Sequence, residues 1–518
     1  MPDQQTDMPD QQAEMSDQQA ETPDPQAEMP DQQQTDSPRD VTRRRFLGAT
    51  AKAGAAMAAA PLVVPRRVWG GSGYQPPSDT ANIAGIGVGG VGGANLRNLA
   101  GNGPSYEGDI GDVSERAGQA RVVALADVDP RHASETFEQY PEAERYRDYR
   151  RMFEEMGGQI DGVVIATPDH THATISLAAM ERGLAVYTQK PLTWSVAEAR
   201  ALAEAAEETG VVTQMGNQGH SSDDARLINE IIRNGDIGTV EEVHVWTNRP
   251  VWPQGMDWPD VLKRKPPRLA WDQWLGPAPE VTYDPSFHPF TWRGWVDWGT
   301  GALGDMGAHL IDHPYWALGL GRPETIHTRS TPFNGVSWPH AATTYYDFPA
   351  RPAFEGMSEE QPPVLLTWYD GGLMPPRPEE LTEEEELNPG GGVIMVGTDG
   401  KLMHGTYGNN PRLLPTGRME AYADPPELFE RVPGENHEMN WVRAIKGQTE
   451  AVSPFSYAAP LTETMLLGLV SMRAGNRKIR YDAEQMRVTN HEEANQYLSR
   501  QDARPDWQAE EVAAVMEG

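Results

Sequence analysis

Aspartate, histidine and aspartate recur in "GDMGAHLID" (Gly304–Asp312), with Asp305 and His309 four residues apart and Asp312 three further on. At 3.6 residues per turn, that spacing puts all three on one helix face. A carboxylate beside an imidazole raises its pKa and fixes its orientation, which suits a general base near neutral pH. Two other readings fit the same residues. One is a surface i,i+4 ion pair worth about 0.3–0.5 kcal/mol; the other is a metal site formed by Asp305, His309 and His313. Pro314 disfavours helical geometry at His313, which weakens that option, and no metal is expected. The second candidate is Lys190 in "TQKP" (Thr188–Pro191), one of only seven lysines in the chain. It stands at the carboxyl end of an apolar run that reads as a strand, the edge where open α/β sheets hold their ligands.

A third group is the glycine loop "GVGGVG", with Gly87, Gly89 and Gly92 as GxGxxG and Gly90 and Val91 between them. It follows the apolar run "NIAGI" and opens a helical pattern. The first glycine permits the tight turn, the second lets a pyrophosphate approach the backbone, and the third lets helix and strand pack closely. The helix N-terminus then offers free N–H groups to phosphates. Asp127 ends the next strand, where a carboxylate accepts hydrogen bonds from a ribose diol and repels a 2′-phosphate. NAD is therefore favoured, with NADP as the alternative. Asp127 lies 35 residues beyond Gly92, a long interval that the polar segment Gly101–Gly118 accounts for as an insertion.

The elements that position these groups alternate. Strands are expected at Asn82–Ile86, Arg121–Pro130, Asp161–Pro168, Leu184–Pro191 and Val211–Asn217, with alanine-rich helices between the later ones. Apolar strands alternating with helices give a parallel sheet covered on both faces. After His220 the texture changes to an α+β pattern. It comprises a helix in "DDARLINEIIRNG", a strand in "VEEVHVWTN", a region rich in tryptophan and proline, and strands near Thr343–Phe348, Val364–Tyr369 and Gly392–Gly397. Met374–Gly392 reads as a loop, and helix returns at Leu461–Gly475. The fold class is thus α/β: an N-terminal Rossmann dinucleotide-binding domain followed by a C-terminal α+β domain. Trp271, Trp274, Trp292, Trp295 and Trp298 suit either a core or the C–H faces of sugar rings.

The 518 residues carry a net charge of −33, which argues against nucleic acid or an anionic membrane as partner. So acidic and lysine-poor a surface resembles proteins of salt-loving organisms, in which salt screens self-repulsion. With no cysteine, disulfides, thiolate metal sites and a thiol nucleophile are excluded. Residues 1–36 repeat a degenerate heptad such as "MPDQQTD", too rich in proline and too poor in apolar residues for a coiled coil. Arg43, Arg44 and Arg45, then Phe46–Leu47 and a weakly apolar run to Pro65, form the layout of a twin-arginine export signal. The expected partition is a disordered repeat at 1–40, the signal at 41–65 and the Rossmann domain at 78–217. A substrate and oligomerisation domain at 218–455 follows, then a helical extension at 456–518 packing back on the Rossmann domain. The expected location is periplasmic or otherwise exported, or tethered by an uncleaved signal. The translocation machinery is then a partner.

Taken in order, "GIGVGGVGG", "ALADVD", "IATPDHTH", "YTQKPLT" and "GDMGAHLID" resemble the Gfo/Idh/MocA oxidoreductase family. The resemblance implies an open-faced, mostly antiparallel sheet in the second domain, used for homo-oligomerisation as a dimer or tetramer. It also implies NAD(P)-dependent chemistry on the CH–OH groups of sugars, cyclitols or related polyols. Lys190 matches the lysine of the family's EKP motif. Asp305 and His309 match its DxGxHxxD pattern, with the histidine as proton acceptor and the aspartate as its helper. Thr167, Pro168, Asp169 and His172 match a cofactor loop, and Gln189 and Asn217 complete the cofactor set. Gln189 departs from the family's glutamate. Trp292, Arg293 and Asp312 are the substrate candidates. An exported enzyme meets little free dinucleotide, so a cofactor retained and recycled in one site is expected. The alternatives are a glycoside-cleaving enzyme working through transient 3-keto oxidation and a sugar-binding member without catalysis.

Overall fold

The computed structural model describes residues 80–100, 118–260, 263–354, 360–422 and 425–507, with 512, 514 and 515. The heptad repeat, the twin-arginine segment and the insertion after Ala100 lie outside the described residues. The two domains share one unit, Pro65–Gly518.

Short apolar strands build the first sheet: β1 (Ala81–Ile86), β2 (Ala120–Ala126), β3 (Glu144–Tyr146), β4 (Gly162–Ile165), β5 (Ala185–Gln189) and β6 (Thr213–Gly216). All pair in parallel in the order β3-β2-β1-β4-β5-β6, the Rossmann arrangement whose switch point lies between β1 and β4. Crossovers are made by α1 (Val91–Ala100), α2 (Ser134–Gln139), α3 (Tyr149–Met156), α4 (His172–Met180) and α5 (Val196–Thr209). α5 begins at a capping box of Ser195 and Glu198 and ends at Gly210 in the left-handed region, φ 66°.

In the second domain, α6 (Asp223–Arg233) leads to β7 (Val240–Thr247), and α7 (Trp271–Leu275), α8 (Gly301–Leu310) and α9 (Asp312–Leu318) follow. Strands β8 (Thr325–Ser330), β9 (Ala342–Phe348), β10 (Val364–Tyr369), β11 (Gly391–Gly397), β12 (Lys401–His404) and β13 (Arg412–Leu414) come next. After α10 (Gly417–Glu420), α11 (His437–Ile445) and α12 (Phe455–Arg473) come β14 (Ile479–Asp482) and β15 (Arg487–Val488). The nine-stranded sheet runs β13-β12-β11-β7-β10-β9-β8-β14-β15 and is antiparallel except for the β7–β10 pair. Alternation in β9 buries Ala342, Thr344, Tyr346 and Phe348 and leaves Thr343, Tyr345 and Asp347 half-exposed on the uncovered face. The buried face meets α12, which is apolar all round because it also packs on α5.

The chain crosses between domains more often than its composition shifts suggest. α11 falls within 218–455 yet packs on α1, with Trp441 buried in one core with Ile83, Val164 and Tyr187. The stretch expected as a helical extension, 456–518, also supplies β14 and β15. Their polar, turn-separated residues carry no period that would mark them as strands.

Candidate active site

Five of the six glycine-loop neighbours expected to touch a cofactor line a cavity of about 340 Å³: Gly87, Gly89, Gly90, Val91 and Asp127. Gly87 has φ 76°, and a Cβ there would press on the Ala166 carbonyl. At Gly92, a Cβ would run into the Gly87 carbonyl oxygen, so this glycine shapes the turn without facing the cavity. Asp127 accepts hydrogen bonds from the Val88 and Asp129 amides, both at 2.8 Å. Burial nevertheless pushes its carboxyl up to about 6. Backbone free of side chains at a helix start, with a carboxylate beside it, fits a dinucleotide: the amides would hold the pyrophosphate and Asp127 the ribose diol.

Thr167, Pro168 and Asp169 follow β4 on the same wall. Asp169 accepts from Thr300 N at 3.0 Å and Thr300 Oγ1 at 2.6 Å, tying the Rossmann loop to the start of α8. Burial pushes it up to about 7 against that hydrogen bond. His172 stands behind the wall, its ring nitrogens 2.8 Å from the carbonyls of Pro191 and Thr167, and so braces the turn that carries Lys190. Gln189 lines the cavity and donates to Asn95 Oδ1 at 3.0 Å; Asn95 in turn donates to Glu438 at 2.6 Å.

Lys190 Nζ donates to the side chain and the main-chain oxygen of Asp305, each at 3.0 Å. An ammonium has three donors, so one remains for a ligand. The same Asp305 oxygen lies 3.6 Å from Arg293 Nε. Burial works to raise the Asp305 carboxyl, but Lys190 and Arg293 hold it below its usual range. Arg293 and Trp292 both line the cavity.

His309 is on the same face of α8 as Asp305, but the expected rise in its pKa does not occur. Burial and then the Lys190 charge push it down to about 3, outweighing Asp305. Asp305, whose carboxylate accepts from Lys190, gives the ring too little support to offset its burial. The His309 ring is neutral, packed edge-on against Tyr407 at 4.9 Å, and its Nδ1 has no hydrogen-bond partner among the described residues.

His309, like Asp312 and Asn217, does not line the cavity. Asp312 is buried off the cavity, where it meets His220 Nδ1 at 3.0 Å, Asn217 Nδ2 at 3.0 Å and Tyr457 OH at 2.6 Å. Burial opposes ionisation there, yet His220 beside it brings the carboxyl down to about 2. This cluster braces α9 from β6 and α12 and does not face a ligand. His313 is helical after all, because Pro314 falls in the first turn of α9, where its missing N–H costs nothing. No group of three potential metal ligands comes together among the described residues.

Apart from Trp274, the cavity's roof is built from residues that no sequence pattern marks. Trp274, Pro277, His288, Phe290 and Trp507 line it, and His132 covers Gly89 so closely that a Cβ there would meet the imidazole. Of the five clustered tryptophans, only Trp274 and Trp292 reach the cavity; all five share a core with Phe287. A strap formed by 500–507 holds the roof down. Arg500 donates to the Asp297 carbonyl at 2.6 Å and lies 3.9 Å over Trp194. Arg504 donates to Gly276 O at 2.8 Å and to Asp272 at 2.6 Å, and Trp507 lies 4.2 Å under Arg150 of α3. Neither arginine nor Trp507 belongs to a periodic pattern that could have marked them.

Comparison with known proteins agrees with this architecture. Residues 81–217 match the family model described as oxidoreductase family, NAD-binding Rossmann fold, and residues 239–329 that of its C-terminal alpha/beta domain. Inositol 2-dehydrogenase of Arthrobacter sp. (strain FB24) is 27% identical over 179 residues, 34% of this chain and 48% of that protein. Levoglucosan dehydrogenase of Pseudarthrobacter phenanthrenivorans is 26% identical over 196 residues, 38% of this chain and 42% of that protein. The chain thus spans less than half the length of these curated relatives. WlbA dehydrogenase from Bordetella pertussis, solved with NADH and UDP-GlcNAcA, shares the fold with TM-score 0.52 and 15% identity, over 78% of this chain and 99% of that one. GenD2 from gentamicin A biosynthesis, solved with NAD, gives TM-score 0.51 and 18% identity over 78% and 97%. Residues 81–217 and 239–329 thus match, in order, the two domain models of the Gfo/Idh/MocA oxidoreductase family.

Proposed function

We propose that the chain is an exported NAD-dependent oxidoreductase acting on a CH–OH group of a sugar, cyclitol or related polyol. The observation that carries the reading is the 3.0 Å contact of Lys190 with Asp305, because it joins the Rossmann strand end to helix α8 in the cavity that holds the glycine loop. NAD, when bound, supplies the hydride acceptor. Lys190 donates its remaining N–H to the reacting hydroxyl oxygen and stabilises the alkoxide. Asp305 and Arg293 fix the position of that ammonium. His309 takes the hydroxyl proton; at rest it is a weak base, chiefly through burial and then the Lys190 charge. An alkoxide beside Lys190 cancels part of that charge, so the ring becomes more basic as the proton arrives.

Retention of the cofactor is supported by His132, Trp274 and Trp507, which border the cavity beside the glycine loop, and by the strap formed by 500–507. Export is supported by Arg43–Arg45 and the apolar run after them. Assembly as a dimer or tetramer through the uncovered face of the nine-stranded sheet belongs to the same proposal. A retained cofactor also suits a reaction without net redox change, such as glycoside cleavage through a transient 3-keto sugar.

The test is to purify the protein from the exported fraction without added nucleotide and to follow nicotinamide absorbance against a panel of sugars and cyclitols. Co-purified NAD and a sugar-dependent signal, lost on Lys190→Met or His309→Asn, are expected. An empty protein of millimolar NAD affinity removes retention. Free sugar released from a glycoside without NADH accumulation selects the cleavage reaction. Sugar binding with no nicotinamide response leaves only a binding protein.

A further inference from the structure

At the α8 end of the cavity, two basic side chains converge on one carboxylate oxygen: Lys190 Nζ at 3.0 Å and Arg293 Nε at 3.6 Å from Asp305 Oδ1. One acid therefore serves two bases, in a protein whose net charge is −33. The other cavity carboxyls do not restore the balance there. Asp148 is held by Arg150 at 2.7 Å and Asp127 belongs to the glycine-loop end, while Asp169, which feels the Arg293 and Lys190 charges, is turned onto Thr300 and pushed by burial toward its neutral form.

Arg293 is also presented in a defined pose. Its guanidinium lies 4.2 Å over Trp292 and 4.8 Å from the Phe290 ring, and Nη1 donates to the Phe290 carbonyl at 3.2 Å. Nη2 has no hydrogen-bond partner among the described residues, and the side chain lines the cavity. Two neighbouring aromatic rings and the Phe290 carbonyl hold the planar fork and leave Nη2 for a ligand, an arrangement that suits recognition of an anion.

Resting on the oxidoreductase reading above, we propose that the substrate is an acidic sugar whose carboxylate is held by Arg293 while Lys190 contacts the hydroxyl to be oxidised. The charge count fits a monoanion: one carboxylate neutralises the surplus cation, whereas a phosphate dianion overcompensates it. Trp292 and Phe290 border the position of the sugar ring next to that carboxylate.

The experiment uses the full exported protein with its NAD and compares D-glucuronate and D-gluconate with D-glucose, myo-inositol and D-glucose 6-phosphate, reading the rate of nicotinamide reduction against sugar concentration in a single turnover. A preference of tenfold or more for the carboxylated sugars is expected. Arg293→Gln should bring the ratio of acidic to neutral sugar close to one, and Arg293→Lys should restore part of it. Neutral sugars or the phosphate turned over as well as the acids, or a ratio unchanged in Arg293→Gln, would overturn the proposal and leave the oxidoreductase reading standing. No nicotinamide response to any compound would overturn both.

Discussion

On the Rossmann side of the cleft, Asp127 and Asp169 are buried among backbone amides and a threonine, and no cation is in hydrogen-bond contact with either, although Lys190 and Arg293 act on Asp169 from a distance. At the α8 end, Asp305 meets Lys190 and Arg293, and behind it Asp312 meets His220. All four carboxyls are buried or nearly so, and burial pushes each of them upward. Only the second pair ends low. Amide hydrogen bonds alone do not offset desolvation here, whereas a basic side chain in contact does. The first end can therefore adapt its charge to a nucleotide, and the second holds fixed charges for chemistry.

Removing the cation that defines the second end should have the largest effect. Lys190→Met is expected to lower kcat about 10³-fold while co-purified NAD, measured after denaturing the protein, stays bound. Loss of the nucleotide together with activity would place Lys190 in cofactor binding instead.

Asp312→Asn breaks the buried pair with His220 and should cost about 3 kcal/mol of stability at neutral pH, read by denaturant unfolding. The Asp312 carboxyl sits near 2 in the fold against 3.8 when free. Its stabilisation is therefore complete above about pH 4 and is lost as pH falls through 2. The asparagine variant should lack that acid limb.

At the other end, Gly92→Ala forces the turn apart from the Gly87 carbonyl. NAD affinity should fall about 10²-fold, from overpacking of about 2–3 kcal/mol, with the sheet intact by circular dichroism. Unaltered NAD affinity would mean that the turn yields at little cost.

The smallest effect is expected from pH. The Asp127 carboxyl ionises near 6, so the free protein gives up stability as pH rises through that value, and a ribose diol donating to the carboxylate restores it. NAD affinity by calorimetry should drop about tenfold between pH 7 and 5, and Asp127→Asn should flatten that dependence. A flat profile in the parent protein would mean that the carboxylate does not hold the ribose.

Much of this contrast was legible from residue order. The five apolar Rossmann strands, the glycine loop, Lys190 and the Asp305–His309 spacing are signals carried by local pattern. β3 was not, because Glu144, Arg145 and Tyr146 form a polar edge strand without an apolar run. β8 reads "TIHTRS" and owes its place to pairing with β9 and β14. The low basicity of His309 was also hidden. Spacing on α8 brings Asp305 near it, but only the fold shows that Lys190, from 115 residues earlier, takes the carboxylate. Asp312 looked like a ligand group by the same helical arithmetic, and its partners Asn217, His220 and Tyr457 come from three distant segments.

The walls of the cavity are drawn from Ile86 through Trp507, so neither domain alone contains them. A free Rossmann half made from 81–217 would keep its phosphate turn but have open solvent where Trp274, Pro277 and Trp507 stand. Such separation in sequence makes the enclosure a late event in folding, since the distant contacts form only after the intervening loops have closed. Were a nucleotide held tightly there, it would serve as a certificate of completion: a molecule carrying it would have finished both lobes.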